Sequence, residues 1–156
     1  REILYEYYGD DIYAWPGDED QGQMGAWYVM SAMGLFQMDG GAAVDPVYEI
    51  GSPIFEKITI HLDPDYYPGD KFVIEAKDVS FENKYIQWAE LDGKPLDKPW
   101  FYHDQLIAGG KLILQMGPEP NKAWGSDPED APPSMSKFYL KKKLQRSWLM
   151  INLKKI

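Results

Sequence analysis

The hydrophobic period of the chain changes once, and that change limits the folds open to it. Before residue 48 the apolar residues recur at helical spacing. Ile3, Leu4, Tyr7 and Tyr8 share one face of a short segment, Arg1 to Tyr8, that reads as the end of a helix. Met24, Trp27, Tyr28, Met30, Ala32, Met33 and Leu35 surround most of a second helix, from about Gly22 to Phe36, which should be an inner helix buried on most sides. From Tyr48 onward the period is two. Ile58, Ile60 and Leu62 alternate with Lys57, Thr59 and His61, and Phe72, Ile74 and Ala76 alternate with Lys71, Val73 and Glu75. Tyr85 to Leu91 and Lys111 to Met116 read as further strands, with turns at Asp92-Gly93 and Gly109-Gly110. The expectation is an α+β chain: a short N-terminal helical segment over 1–47, then an antiparallel β-sheet or sandwich over 48–116. Ile58, Ile60, Phe72 and Ile74 should face inward.

Residues 117–137 hold Pro118, Pro120, Pro128, Pro132 and Pro133 among Gly, Ser, Asp and Asn, the composition of an irregular surface segment. The chain then changes character. Its net charge of −9 divides into −16 over residues 1–136 and +7 over 137–156, so residues 138–156 form a basic tail of unclear origin. An acidic body of this kind disfavours nucleic acid and anionic membrane as partners, and suits a neutral polyhydroxylated ligand or a divalent cation. The 156 residues fall at the size of one domain, and with no Cys there is no disulfide framework, cysteine zinc site or thiol nucleophile. The opening Arg1, with no initiating Met and no signal, suits a segment of a longer polypeptide. Six Trp and 11 Tyr are enough to need a reason: such rings fill a core, and flat rings also stack on the apolar faces of pyranoses.

Chemistry concentrates in Gly17-Asp18-Glu19-Asp20-Gln21-Gly22, three carboxylates between glycines at the mouth of the second helix. Like charges this close raise one another's pKa, whereas the helix dipole favours ionisation, and the two opposed effects can tune a carboxylate into a general base. An acidic helix cap with solvated neighbours explains the same residues without catalysis. In that role Asp20 is placed to cap the N-terminus.

The run GDEDQGQMGAWYVMSAMGLF, Gly17 to Phe36, closely resembles the signature near the C-terminus of glycoside hydrolase family 92 catalytic domains. The resemblance extends in order through REILYEYYG at Arg1, YEIGSPIFEKITI at Tyr48, ENKYIQ at Glu82, LDGKPL at Leu91 and the His103 segment. It goes on through GGKLILQMGPEPN at Gly109 to PPSMSK ending at Lys137. Residues 1–137 are thus similar to the C-terminal part of such a domain, with 1–47 as the end of an (α/α)6 barrel. Two positions depart from the family pattern: Gly25 stands where a small hydroxyl residue is expected, and the tail continues past the segment near which family chains end.

The resemblance implies a calcium-dependent exo-α-mannosidase acting by inversion on mannose-containing glycans, with α-1,2 linkages the expected target. It implies base-side catalytic roles for Asp18 and Asp20, with Glu19 between them pointing elsewhere. The general acid and the calcium ligands are expected upstream, so no metal ligand is assigned in this chain. A periplasmic or secreted location is implied as well. Such a piece alone should be inactive, and its inner helix, lacking barrel neighbours, should drive self-association. The alternatives are a non-catalytic carbohydrate-binding sandwich, which has no use for paired aspartates at a helix mouth, and an inactive fragment whose only role is structural.

Other residues read more plainly. Trp15, just before the acids, is a candidate substrate-stacking residue, with core packing as the other explanation. Trp27 and Trp88 read as core, His61 as solvent-facing, and His103 beside Asp104 as fixing a turn.

Overall fold

In the computed structural model, which describes residues 1–19 and 21–134, the two periodicities become elements. Helix α1 spans Glu2–Glu6 and α2 Gln23–Met33, followed by strands β1 (Leu35–Phe36), β2 (Val47–Ile50), β3 (Lys57–His61), β4 (Lys71–Lys77), β5 (Tyr85–Leu91), β6 (Lys94–Pro95) and β7 (Trp100–Tyr102). Helix α3 (His103–Ile107) and strand β8 (Gly110–Gly117) complete them, with a 3-10 turn at Pro128–Asp130.

Helix α2 stops earlier than its apolar residues suggest. Gly34 takes a left-handed conformation (φ 75°), and its N–H closes onto the carbonyls of Met30 and Ser31. A side chain there would meet Pro53 at 2.8 Å, so only glycine lets the chain turn this close to the β-part. Leu35 and Phe36, expected in the helix, therefore form β1.

Two sheets result, of order β1-β2-β7 and β3-β4-β8-β5-β6. They share one core, in which Phe72, Phe101, Ile74, Leu112 and Leu114 are fully buried and the Phe72 and Phe101 rings stack at 5.6 Å across the two sheets. Phe72 and Ile74 face inward as the alternation requires, and Ile58 and Ile60 pack half-buried against the same core. The architecture is α+β with a β-sandwich. All ladders but one are antiparallel: β4 and β8 pair in parallel, Phe72 opposite Gly110 through Lys77 opposite Gln115. Alternation reports which face is buried and carries no information on strand direction, which here follows from the return of the chain through β7 and α3.

Helix α2 is partly uncovered, as expected of an inner helix without its barrel neighbours: among its described residues only Ala32 is fully buried, Trp27, Met30 and Met33 are half-buried, and Val29 is 55% exposed. Two readings need correction. Trp88 is not core but 43% exposed. A bulge between Ile86 and Trp88 inserts an extra residue in β5, so that Ala89 and Leu91 take the inward positions that strict alternation from Ile86 would give to Trp88 and Glu90. His103 begins a helix instead of fixing a turn, and its Nδ1 lies 3.1 Å from the Tyr48 hydroxyl. His61 is exposed, as read.

The proline-rich segment is pinned to the sandwich. Trp124 Nε1–H donates to the Leu96 carbonyl at 2.8 Å, Trp100 Nε1–H to that of Asp130 at 2.7 Å, and the Asn121 amide to that of Gln87 at 2.7 Å. The reading of the basic tail, 138–156, lies outside the described residues, and so does the position of Asp20.

Candidate functional site: an acidic loop at the head of α2

The loop before α2 is built in two steps. The Gly9 N–H donates to the Ala14 carbonyl at 2.8 Å, closing a small loop whose inner turn is held by the Asp11 carboxylate accepting from Tyr13 N–H at 2.7 Å. The chain then passes Trp15, 37% exposed, and Asp18, also exposed, before Gln21 and Gly22 adopt left-handed φ of 63° and 95° and turn it into α2. Gly22 occupies the cap position with no side chain to offer. Glu19 supplies what is missing: both its carboxylate oxygens lie 3.2 Å from the Gly25 N–H, and its carbonyl accepts from Met24 N–H at 3.3 Å. Among the described residues, Glu19 is the carboxylate that meets the unpaired N–H groups and the positive end of the helix dipole.

Glu19 is thus held on the helix end, while Asp18 lies at the solvent edge. The absence of a side chain at position 25 matters here, because a Cβ would sit 3.2 Å from Glu19 Oε1. Tyr8 backs the loop. Its hydroxyl donates to the Met24 carbonyl at 3.1 Å, and its ring packs on Trp27 and Tyr28 with centroids 5.7 and 5.0 Å away. Burial raises the pKa of that hydroxyl, and the negative charge of Glu19 raises it further. The capping role of Glu19 and the backing role of Tyr8 were not read from the sequence; the signals available were an acid six residues before a glycine and a tyrosine at the end of an apolar helical face. Among the described residues no group of three or more His, Asp or Glu gathers as a metal site.

At the other end of α2 lies a cleft of about 370 Å³ between α1, α2, β1 and β2. Arg1 spans it, donating to the carbonyls of Ser80 and Pro53, and Trp27 and Phe36 form apolar walls.

Comparison with known proteins places the arrangement. The Glycosyl hydrolase family 92 catalytic domain matches residues 1–118. A family 92 inverting mannosidase from Bacteroides thetaiotaomicron is 38% identical, with a TM-score of 0.74 over 86% of this chain and 17% of its own. A family 92 α-mannosidase of the same organism, solved in complex with mannoimidazole, is 31% identical with a TM-score of 0.76, over 85% and 17%. A protein described as an uncharacterized secreted glycosidase, from Arthroderma benhamiae, is 36% identical over 124 residues, 77% of this chain and 15% of the relative. The chain belongs to glycoside hydrolase family 92, and it spans only a small part of the length of these relatives.

Proposed function

We propose that residues 1–137 are the C-terminal part of an inverting α-mannosidase domain and that Asp18 and Asp20 supply its base side. What supports this reading is the loop itself. One of its three consecutive carboxylates, Glu19, is held on the helix end while Asp18 remains exposed, in a chain of this family. An exposed carboxylate is open to water and can act on it as a base. Inversion further requires a general acid about 6.5–9.5 Å away across the glycosidic bond, to be supplied by residues outside this chain. Trp15, exposed on the same loop, is the stacking surface proposed for the sugar ring.

The substrates are mannose-containing glycans, with α-1,2 linkages the finer expectation, and the location is periplasmic or secreted. No helix among the described residues is long and apolar enough to cross a membrane. Calcium, held by residues outside this chain, would polarise the sugar hydroxyls as a Lewis acid when bound.

In the full-length parent, Asp18→Ala or Asp20→Ala should lower kcat by at least about 10²-fold with little change in substrate affinity, since a general base acts in the transition state. Near wild-type turnover in both variants removes the role. The 156-residue chain alone should release no product from an aryl α-mannoside, with or without calcium; measurable turnover would mean that the acid lies within it.

A further inference from the structure

The chain contains two Asp-Gly steps, Asp39-Gly40 and Asp92-Gly93. A glycine puts no side chain in the way of its own nitrogen, so that nitrogen can reach the carboxyl group of the aspartate before it. The two steps stand in opposite surroundings. We propose that Asp39 is a self-modification site, converting through a succinimide to isoaspartate, and that the fold protects Asp92 from the same reaction.

Asp39 lies in the connection between β1 and β2, where Met38 is 81% and Val44 97% exposed. Its Oδ1 accepts from the Gly41 N–H at 3.1 Å. That turn folds the carboxyl group back along the peptide that follows it, on the side of the Gly40 nitrogen that must attack. It also aims a backbone donor at an oxygen on which negative charge develops as the new bond forms. The Gly40 N–H is itself held only by a long 3.4 Å bond to the Gln37 carbonyl, and a Cβ built on Gly40 would find nothing within 4 Å. The backbone here is free to move. The reaction needs only these two residues and water: the Gly40 nitrogen bonds to Asp39 Cγ, and its proton leaves with the carboxyl O–H as water. Hydrolysis at the Asp39 main-chain carbonyl takes that water up again and leaves the chain running through Cγ, whereas hydrolysis at Cγ restores aspartate.

Asp92 has the same neighbour and none of this freedom. With φ of 51° and 76°, Asp92 and Gly93 form the tight turn that joins β5 to β6. Asp92 Oδ1 accepts from the Lys111 N–H at 2.7 Å, and the Asp92 N–H donates to the Lys111 carbonyl at 2.9 Å. The carboxylate also sits against Gly110, where any side chain would collide with it. It is thus tied to the start of β8, and closing a ring on the Gly93 nitrogen would give up a charge-assisted hydrogen bond and the geometry of the turn.

The test incubates the 156-residue chain in neutral buffer, folded and in urea. Isoaspartate is located by mass spectrometry of its peptides and counted by methyl uptake from S-adenosylmethionine, with an isoaspartyl carboxyl methyltransferase as probe. In the folded chain isoaspartate should form at 39 at least about tenfold faster than at 92, where a hydrogen bond to a charged group must break first. In urea the two rates should converge. Asp39→Glu, at an exposed position, should remove most of the methyl uptake of the folded chain. The proposal is overturned by equal rates in the folded chain, by isoaspartate chiefly at 92, or by none at 39 while the unfolded chain forms it. It is overturned equally by the same preference for 39 in urea, or by undiminished methyl uptake in Asp39→Glu. The readout involves no turnover, so it stands or falls apart from the base role of the acidic loop.

Discussion

Glu19 stands between two aspartates in the sequence, and its carboxylate is committed to the backbone of α2. Its bond to the Gly25 N–H replaces the side-chain cap that Gly22 cannot make, and caps of this kind contribute about 1 kcal/mol. Glu19→Ala should lower stability by about that amount in urea unfolding, and Glu19→Gln, which keeps an acceptor, by less. Tyr8 reports on the same loop. Its folded-state pKa is raised above the ordinary value of about 10 by burial and by Glu19. Its contribution to stability is therefore full below pH 10 and is lost as pH rises through the higher folded value. Tyr48 is raised by burial as well, so Tyr8→Phe should remove one of the late-ionising components of the native tyrosinate absorbance titration, and an unchanged titration curve would contradict the assignment. At this scale the sequence showed that the acids crowd a helix mouth. It could not show which of them caps, because that depends on the left-handed turns at Gln21 and Gly22.

Among the elements, period-two alternation located β3, β4 and β8 and their buried faces, and helical spacing located α1 and α2. It failed where a local event resets the period. Gly34 ends α2 before Leu35, and the bulge in β5 turns Trp88 outward. The two aromatic residues Phe72 and Trp88 therefore predict opposite outcomes. Phe72 is fully buried between the sheets, and Phe72→Ala should cost about 3–5 kcal/mol. Trp88→Ala removes a larger ring from a surface position, under a lysine whose Nζ lies 5.8 Å from its centroid, and should cost less than about 1 kcal/mol. Equal losses in denaturant midpoint would contradict the bulged register. The parallel pairing of β4 and β8 was not legible at all, because residues adjacent in that ladder lie far apart in the chain.

For the whole molecule, the face of α2 around Val29 lies on the side of the helix opposite Trp27 and Ser31 and is left uncovered. Half-buried Met33 borders it, and apolar patches of this kind promote association. Sedimentation should show concentration-dependent dimers or larger species, and Val29→Lys should return the chain to monomer. A wild-type monomer at high concentration would remove this expectation. The order of the larger sheet carries a different consequence. Hairpins β3–β4 and β5–β6 are hydrogen-bonded into one sheet through β8, which lies between them and is the last of the five strands in the sequence. On a translating ribosome both hairpins must wait with an open edge until residue 117 has emerged. A stop codon just before residue 110 would leave two hairpins with no strand between them, not a slightly shortened domain, and those bare edges are what quality-control proteases and aggregating neighbours recognise.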